Sequence, residues 1–181
     1  MSESELRAAM EFLSARFVLL RHEDGEGGDI DWVLDRARVA VARYGVRGLV
    51  IDPYNELEHL RPRGRTETEY VSEMLSKVKR FAQNHGVHVW FVAHPRQLHG
   101  WDDDVPSLYD IAGSAHFVNK ADNGIVVHRY RNPDSGKLGE VEIHMLKARN
   151  KLAGRLGVVS LNYSVVTGIY SMNRSTRHSP S

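Results

Sequence analysis

The sequence predicts an α/β fold, a mostly parallel sheet flanked by helices and extended at its C-terminal end by β-hairpin strands. Two apolar runs, 48–51 and 87–93, each follow a helix-period segment closed by glycine and each end on a polar residue, Asp52 and His94. That is how buried parallel strands of successive αβ units read. From residue 125 onward, short strand-like runs follow one another with only turn-forming stretches between them, which calls for antiparallel pairing. The chain has 181 residues with 41% hydrophobic and 26% charged, an ordinary globular composition with enough length to bury a core.

The elements follow in order. Leu6, Ala9, Met10 and Leu13 recur at helical spacing with Ser4 as the expected N-cap, giving an amphipathic helix over 4–16. Residues 17–21 read as a short strand and 22–28 as an acidic, glycine-rich connection. The cluster Gly25-Glu26-Gly27-Gly28 invites a phosphate-loop reading, since helix N-termini bind anions. It fails on chemistry: no Lys-Ser/Thr follows, and Glu26, Asp29 and Asp31 would repel phosphate. A turn and an acid-capped helix start are expected instead.

A buried helix over 30–44 carries Trp32, Val33, Leu34, Ala37, Val39, Ala40 and Val41 as its apolar positions and stops at Gly45. Thr66 and Glu69 form a capping box for a helix reaching about Asn84, with Tyr70, Val71, Met74, Leu75, Val78 and Phe81 on its apolar face. A helix interrupted near Gly113-Ser114, with Asp110 or Ser114 as caps, is expected over 107–119. Strands at 125–129, 141–146, 158–162 and 169–172 follow, with a hairpin-type loop at 130–139 and a turn at Thr167-Gly168. Residues 1–172 are expected to form the folded region and 173–181 a disordered polar tail.

Composition narrows the partners. Net charge is +1 with histidines neutral, so any nucleic-acid surface has to come from local clusters. No cysteine is present, which excludes disulfides and thiolate metal sites. No apolar run approaches the roughly 18 residues of a membrane span, so no membrane partner is expected. The start, Met1-Ser2-Glu3-Ser4-Glu5, has acids where presequences have basic residues, and no targeting peptide is expected.

The chemistry concentrates at strand ends. Asp52 at the carboxyl edge of a parallel sheet sits where such sheets bind ligands, and a carboxylate there suits a hard cation held beside nucleotide phosphates; the alternative is a cap for the following turn. If the two parallel strands are neighbours, His94 reaches the same edge. The loop Arg61-Pro62-Arg63-Gly64-Arg65 concentrates positive charge suited to a phosphate backbone, or is a solvated basic loop. The loop 95–105 holds Arg96, Trp101 and three successive Asp; its place makes it a candidate binding element, and its acidic tip argues against simple DNA attraction. Lys147, Arg149 and Lys151 crowd the far end of the 141–146 strand.

Several stretches together resemble the helicase domain of the ring-forming replicative helicases of the DnaB type, most closely their Twinkle and phage primase-helicase branch. Residues 48–56 are similar to the family's Walker B strand, and 89–96, Val-Trp-Phe-Val-Ala-His-Pro-Arg, to its strand-end histidine motif. Asp110-Ile111-Ala112-Gly113-Ser114-Ala115 with Lys120-Ala121-Asp122-Asn123 resembles its DNA-contacting motif. Leu146-Lys147-Ala148-Arg149-Asn150 with Gly154 and Gly157 resembles the segment supplying its arginine finger.

The resemblance implies a partial RecA-like P-loop NTPase core, with nucleotide between adjacent subunits of a ring and single-stranded DNA through its centre. It implies that ATP and Mg²⁺ are the cofactors and that Asp52 holds the Mg²⁺–water network. His94 would sense the γ-phosphate, while Lys147 and Arg149 act on a neighbour's γ-phosphate. Gly113 and Ser114 would meet a DNA phosphate, with Arg61, Arg63, Arg65 and Arg96 as further positive charge. Movement 5′ to 3′ in mitochondrial or plastid DNA replication follows from the same resemblance.

One departure is large. No Gly-x-x-x-x-Gly-Lys-Ser/Thr occurs in the sequence, and the family's catalytic Glu has no counterpart. The chain alone is therefore expected to bind ATP poorly and turn it over negligibly, either as part of a longer helicase or as a P-loop-less subunit working in trans with full-length helicase subunits. A sheet without its P-loop strand is also expected to leave an edge or an apolar face uncovered.

Overall fold

The structure, a computed structural model, describes residues 2–172 apart from 23–27, 60, 62, 96–103, 112–114 and 131–138. Its order is α1 (Glu3–Arg16), α2 (Ile30–Tyr44), β1 (Gly48–Ile51), α3 (Glu67–His85), β2 (His88–Phe91), α4 (His116–Lys120), β3 (Asn123–Arg129), β4 (Glu140–Ala148), β5 (Gly157–Tyr163) and β6 (Tyr170–Met172), with 3₁₀ turns at Tyr54–Glu56 and Leu108–Asp110. The α/β class is as expected: β1 and β2 make a parallel pair, and β3-β4-β5-β6 an antiparallel sheet in sequence order. Two compact units result, one of residues 1–64 and 77–93, the other of 65–76 and 94–181.

In the first unit, α1 is capped by Ser2 rather than Ser4. The Ser2 hydroxyl accepts from the Glu5 N–H at 3.3 Å, and the Glu5 carboxylate accepts from the Ser2 N–H at 2.6 Å. Ser-x-x-Glu satisfies two orphan donors reciprocally, and only Ser2 has a glutamate at that spacing. The bond from the Ser2 backbone N–H foremost, and after it one from the Ser2 hydroxyl, hold the Glu5 carboxyl below its usual range. No residue of α1 is buried, so its apolar stripe faces solvent. No strand forms over 17–21, and Leu19 stands 91% exposed; a short apolar run without a hydrogen-bonding neighbour has nothing to hold it as a strand.

Helix α2 obeys its sequence pattern. Asp29 accepts from the Trp32 N–H at 2.8 Å, and Gly45 ends the helix at φ 65, a left-handed conformation that costs glycine little. Ile30, Leu34, Ala37 and Ala40 are its buried residues, while Val39 is exposed. With Leu49, Ile51, Tyr54, Val78, Phe81 and Val87, these form the buried apolar set of the unit, each large aliphatic or aromatic member contributing roughly 1.5–3 kcal/mol by leaving water. Lys77 binds the Asp31 carboxylate at 2.6 Å.

Strands β1 and β2 pair Gly48 with His88, Val50 with Trp90 and Ile51 with Phe91. Alternation puts Leu49 and Ile51 inside and leaves Val50 62% and Trp90 50% exposed on the other face. The chain beyond β1 is held by the Val92 N–H donating to Ile51 O at 2.9 Å and the Tyr54 N–H donating to Val92 O at 2.7 Å.

In the second unit, the Thr66 N–H and hydroxyl reach the Glu69 carboxylate at 2.9 and 3.0 Å, and the Glu69 N–H donates to the Thr66 hydroxyl at 3.3 Å. The expected capping box is therefore present. Val71 and Met74 are fully buried. The expected 107–119 helix is instead the 3₁₀ turn, whose box is Ser107 with Asp110, and the five-residue α4. Gly113 and Ser114 lie outside the described residues.

The hairpin of β3 and β4 runs in register from Arg129↔Val141 to Ile125↔Met145, then slips by one residue so that Gly124 faces Lys147 and Asn123 faces Ala148. Strand alternation would otherwise have put Lys147 and Arg149 with Ile143 and Met145; the slip turns them to the face of Glu142 and His144. A Cβ on Gly124 would stand 2.3 Å from a Leu108 methyl and 3.2 Å from the Lys147 Cβ, so a larger residue here would displace the Leu108 side chain. Glu142, 8% exposed, is a buried charged residue. Its Oε2 accepts from the Tyr130 hydroxyl at 2.9 Å and lies 2.9 Å from His144 Nε2. Gly168 at φ 69 makes the expected turn before β6.

Candidate nucleotide and nucleic-acid contact residues

In the first unit, Asp52 follows directly on β1 and is exposed. It lines an open groove of about 1100 Å³ whose walls include Phe17, Leu20, Trp32, Val33, Val50 and Trp90. No group of three or more His, Asp or Glu able to hold a metal occurs among the described residues. A single exposed carboxylate suits Mg²⁺, which commonly keeps most of its waters and takes one or two protein oxygens beside substrate phosphates. Arg61 and Arg63 are exposed and make no ion pair among the described residues. They remain available to an external anion.

In the second unit, His94 is exposed, and Pro95 after it bridges to Ile111. Arg65 does not stand free like Arg61 and Arg63, because it is ion-paired with Glu73. Arg96 lies outside the described residues.

Lys147 and Arg149 converge on the end of α4. The Lys147 ammonium donates to the Val118 carbonyl. Arg149 Nη2 donates to Asn119 O at 2.8 Å and Ala121 O at 3.3 Å, and Nε lies 2.8 Å from Asp122 Oδ1. The last carbonyls of a helix lack intrahelical donors and carry partial negative charge, so cations are favourable there. Despite these contacts the Arg149 side chain is 51% exposed.

Asp122 entered the sequence reading only as part of the stretch resembling a DNA-contacting motif, with no role of its own beside Arg149. It sits just before β3, and the pairing Asn123↔Ala148 makes it the cross-strand neighbour of Arg149, whose N–H donates to Asp122 O at 2.8 Å. An acid and a base at the open end of one hairpin were both visible, but their pairing depends on a register slip that alternation does not announce.

No protein-family model matches the chain. It is 56% identical over 171 residues to the Twinkle homolog protein, chloroplastic/mitochondrial, of Arabidopsis thaliana, an alignment covering 94% of this chain and 24% of that protein. The chain thus spans about a quarter of the length of its plant relative. Among solved structures, one ATPase domain matches with a TM-score of 0.76 and 22% identity, over 95% of this chain and 61% of that one. A DnaB-like replicative helicase described with its primase interactions matches at 0.75 and 22%, over 94% and 42%. No helix among the described residues is long and apolar enough to cross a membrane. In sequence the chain is thus similar to one segment of the plant Twinkle homolog, and in fold it is like the ATPase domain of a DnaB-like replicative helicase.

Proposed function

We propose that this chain is a portion of an ATP-dependent DNA helicase that moves 5′ to 3′ on single-stranded DNA during organellar DNA replication. In this reading it works within a ring of subunits and contributes Arg149, with Lys147, to the triphosphate bound by a neighbour. The observation that carries it is the state of Arg149, a permanently charged guanidinium held at a surface and half exposed rather than buried in its own core. A cation so placed can stabilise charge that builds on a transferring phosphoryl group in another subunit.

Asp52 would hold Mg²⁺ through water, and bound Mg²⁺ would neutralise the triphosphate charge. His94 would report the γ-phosphate state to its adjoining loop. Arg61, Arg63, Arg65 and Arg96, with the backbone at Gly113 and Ser114, would meet DNA phosphates. Mitochondrial or plastid location follows from the name of the plant relative. The alternative, a subunit without turnover that lends a finger or DNA contacts in trans, rests on the same guanidinium and on a sequence without Gly-x-x-x-x-Gly-Lys-Ser/Thr.

Titrating the purified chain into a complete DnaB-like helicase subunit, one whose own finger arginine has been replaced by alanine, tests the shared core of both readings. DNA-stimulated ATP hydrolysis should be absent for either component alone and appear in the mixture. Strong turnover by this chain alone would overturn the assignment, as would a mixture that associates without gaining activity.

A further inference from the structure

We propose that Asp122 is a positioning residue that sets the Arg149 guanidinium in its working orientation; the proposal rests on the reading of Arg149 as a finger acting in trans. Four contacts converge on this one side chain and its backbone. The Asp122 carboxylate meets Nε at 2.8 Å, the Asn119 and Ala121 carbonyls take Nη2 at 2.8 and 3.3 Å, and the Asp122 carbonyl takes the Arg149 N–H at 2.8 Å. Nη1 has no hydrogen bond among the described residues. The Nε and Nη2 side of the planar fork is thus engaged, and Nη1 is left without a hydrogen bond on a side chain that is 51% exposed.

The arrangement decides between two roles for the carboxylate. A bidentate carboxylate across both terminal nitrogens would occupy the phosphate-binding edge and sequester the finger. Asp122 instead takes Nε, leaving the guanidinium charged, as arginine always is, with a terminal nitrogen open. Because the pair is exposed, water screens the attraction between the two charges, so Asp122 costs the finger little of its field. What it supplies is orientation: an arginine ion-paired at Nε and hydrogen-bonded through Nη2 has few rotamers left to lose when a phosphate arrives, and for a finger whose contact strengthens as charge builds in the transition state that pre-ordering appears in the rate.

The test uses the finger-deficient helicase subunit mixed with variants of this chain, reading kcat and KM for ATP at saturating single-stranded DNA. Asp122→Ala should lower kcat about 10-fold, the scale of a mispositioned group, with KM changed less than about twofold. Asp122→Asn, which keeps the shape and loses the charge, should fall between Asp122→Ala and the unchanged chain. Asp122→Ala added to Arg149→Ala should do nothing further.

A second readout needs no partner: in ¹⁵N spectra the Arg149 Nε–H signal should exchange faster with water in Asp122→Ala while β3 and β4 amide protection stays unchanged. Unaltered kcat in Asp122→Ala would overturn the proposal and leave the finger reading standing, and raised kcat would overturn it by showing that the carboxylate sequesters the finger. Full rescue by the Arg149→Ala chain would overturn the finger reading itself and this proposal with it.

Discussion

Replacing Tyr130 by Phe and Glu142 by Leu, singly and together, isolates the hydrogen bond that joins the residue after β3 to β4. Both residues are buried, 7% and 8% exposed, with the hydroxyl 2.9 Å from Oε2. Tyr130→Phe keeps the ring, which His128 meets edge-on at 4.6 Å, and deletes one donor to a carboxylate, a change of about 1.5–3 kcal/mol. Glu142→Leu is worse, because the Tyr130 hydroxyl and His144 Nε2, 2.9 Å from the same oxygen, both lose this acceptor. At roughly 1–3 kcal/mol for each polar group deprived of its bond in a buried site, the loss is about 2–6 kcal/mol, a large share of a stability of about 5–15 kcal/mol. In the double variant only His144 is so deprived, so it should be less destabilised than the sum of the singles by at least about 2.5 kcal/mol. Urea unfolding measured through β4 amide exchange reads this unit specifically. Additivity within about 0.5 kcal/mol would refute the reasoning.

Two further outcomes follow from exposed charges. The Thr66 backbone N–H, and after it the Thr66 hydroxyl, hold the Glu69 carboxyl below its usual range, so the cap's contribution is present above the pKa of glutamate in the unfolded chain and is lost as pH falls through the lowered folded value. A ¹³C carboxyl titration should show Glu69 below an unfolded-state glutamate, and Thr66→Ala should restore only part of the difference because the larger donor remains; a midpoint at the unfolded value would contradict this. Single-stranded DNA binding should lose about 0.7 from its log–log salt slope for each of Arg61 and Arg63 replaced by alanine. Arg65→Ala should change it less, since Glu73 already holds that guanidinium, and Glu73→Ala should strengthen binding; equal slopes for Arg61→Ala and Arg65→Ala would rule out the distinction.

Much of the framework was legible because local and long-range preferences agree in it. Asp29, Gly45, Thr66 and Glu69 set helix ends through bonds spanning a few residues, and the apolar runs ahead of Asp52 and His94 have one reading as strands. The failures share a cause. Residues 17–21 look like a strand, but a strand exists only if something pairs with it, and nothing within the run reveals that. The helix expected over 107–119 with an interruption near Gly113-Ser114 has His116–Lys120 as its second piece, but its first piece is only a 3₁₀ turn, because Ser107 and Asp110 bond locally, a competition that composition alone does not rank. Glu142 read as an alternating strand residue, not as a buried carboxylate, since its partners Tyr130 and His144 meet it only across the finished hairpin. The pairing of Arg149 with Asp122 was hidden for the same reason.

A sheet of two strands has no interior strand, so among the described residues both β1 and β2 have a side on which no β-strand bonds to them. Asp52 therefore hangs from a scaffold whose peptide groups on that side must look elsewhere for partners, and the pair should breathe more readily than a strand hemmed in on both flanks. Any additional strand laid alongside would gain a ladder of bonds and steady the edge from which Asp52 hangs.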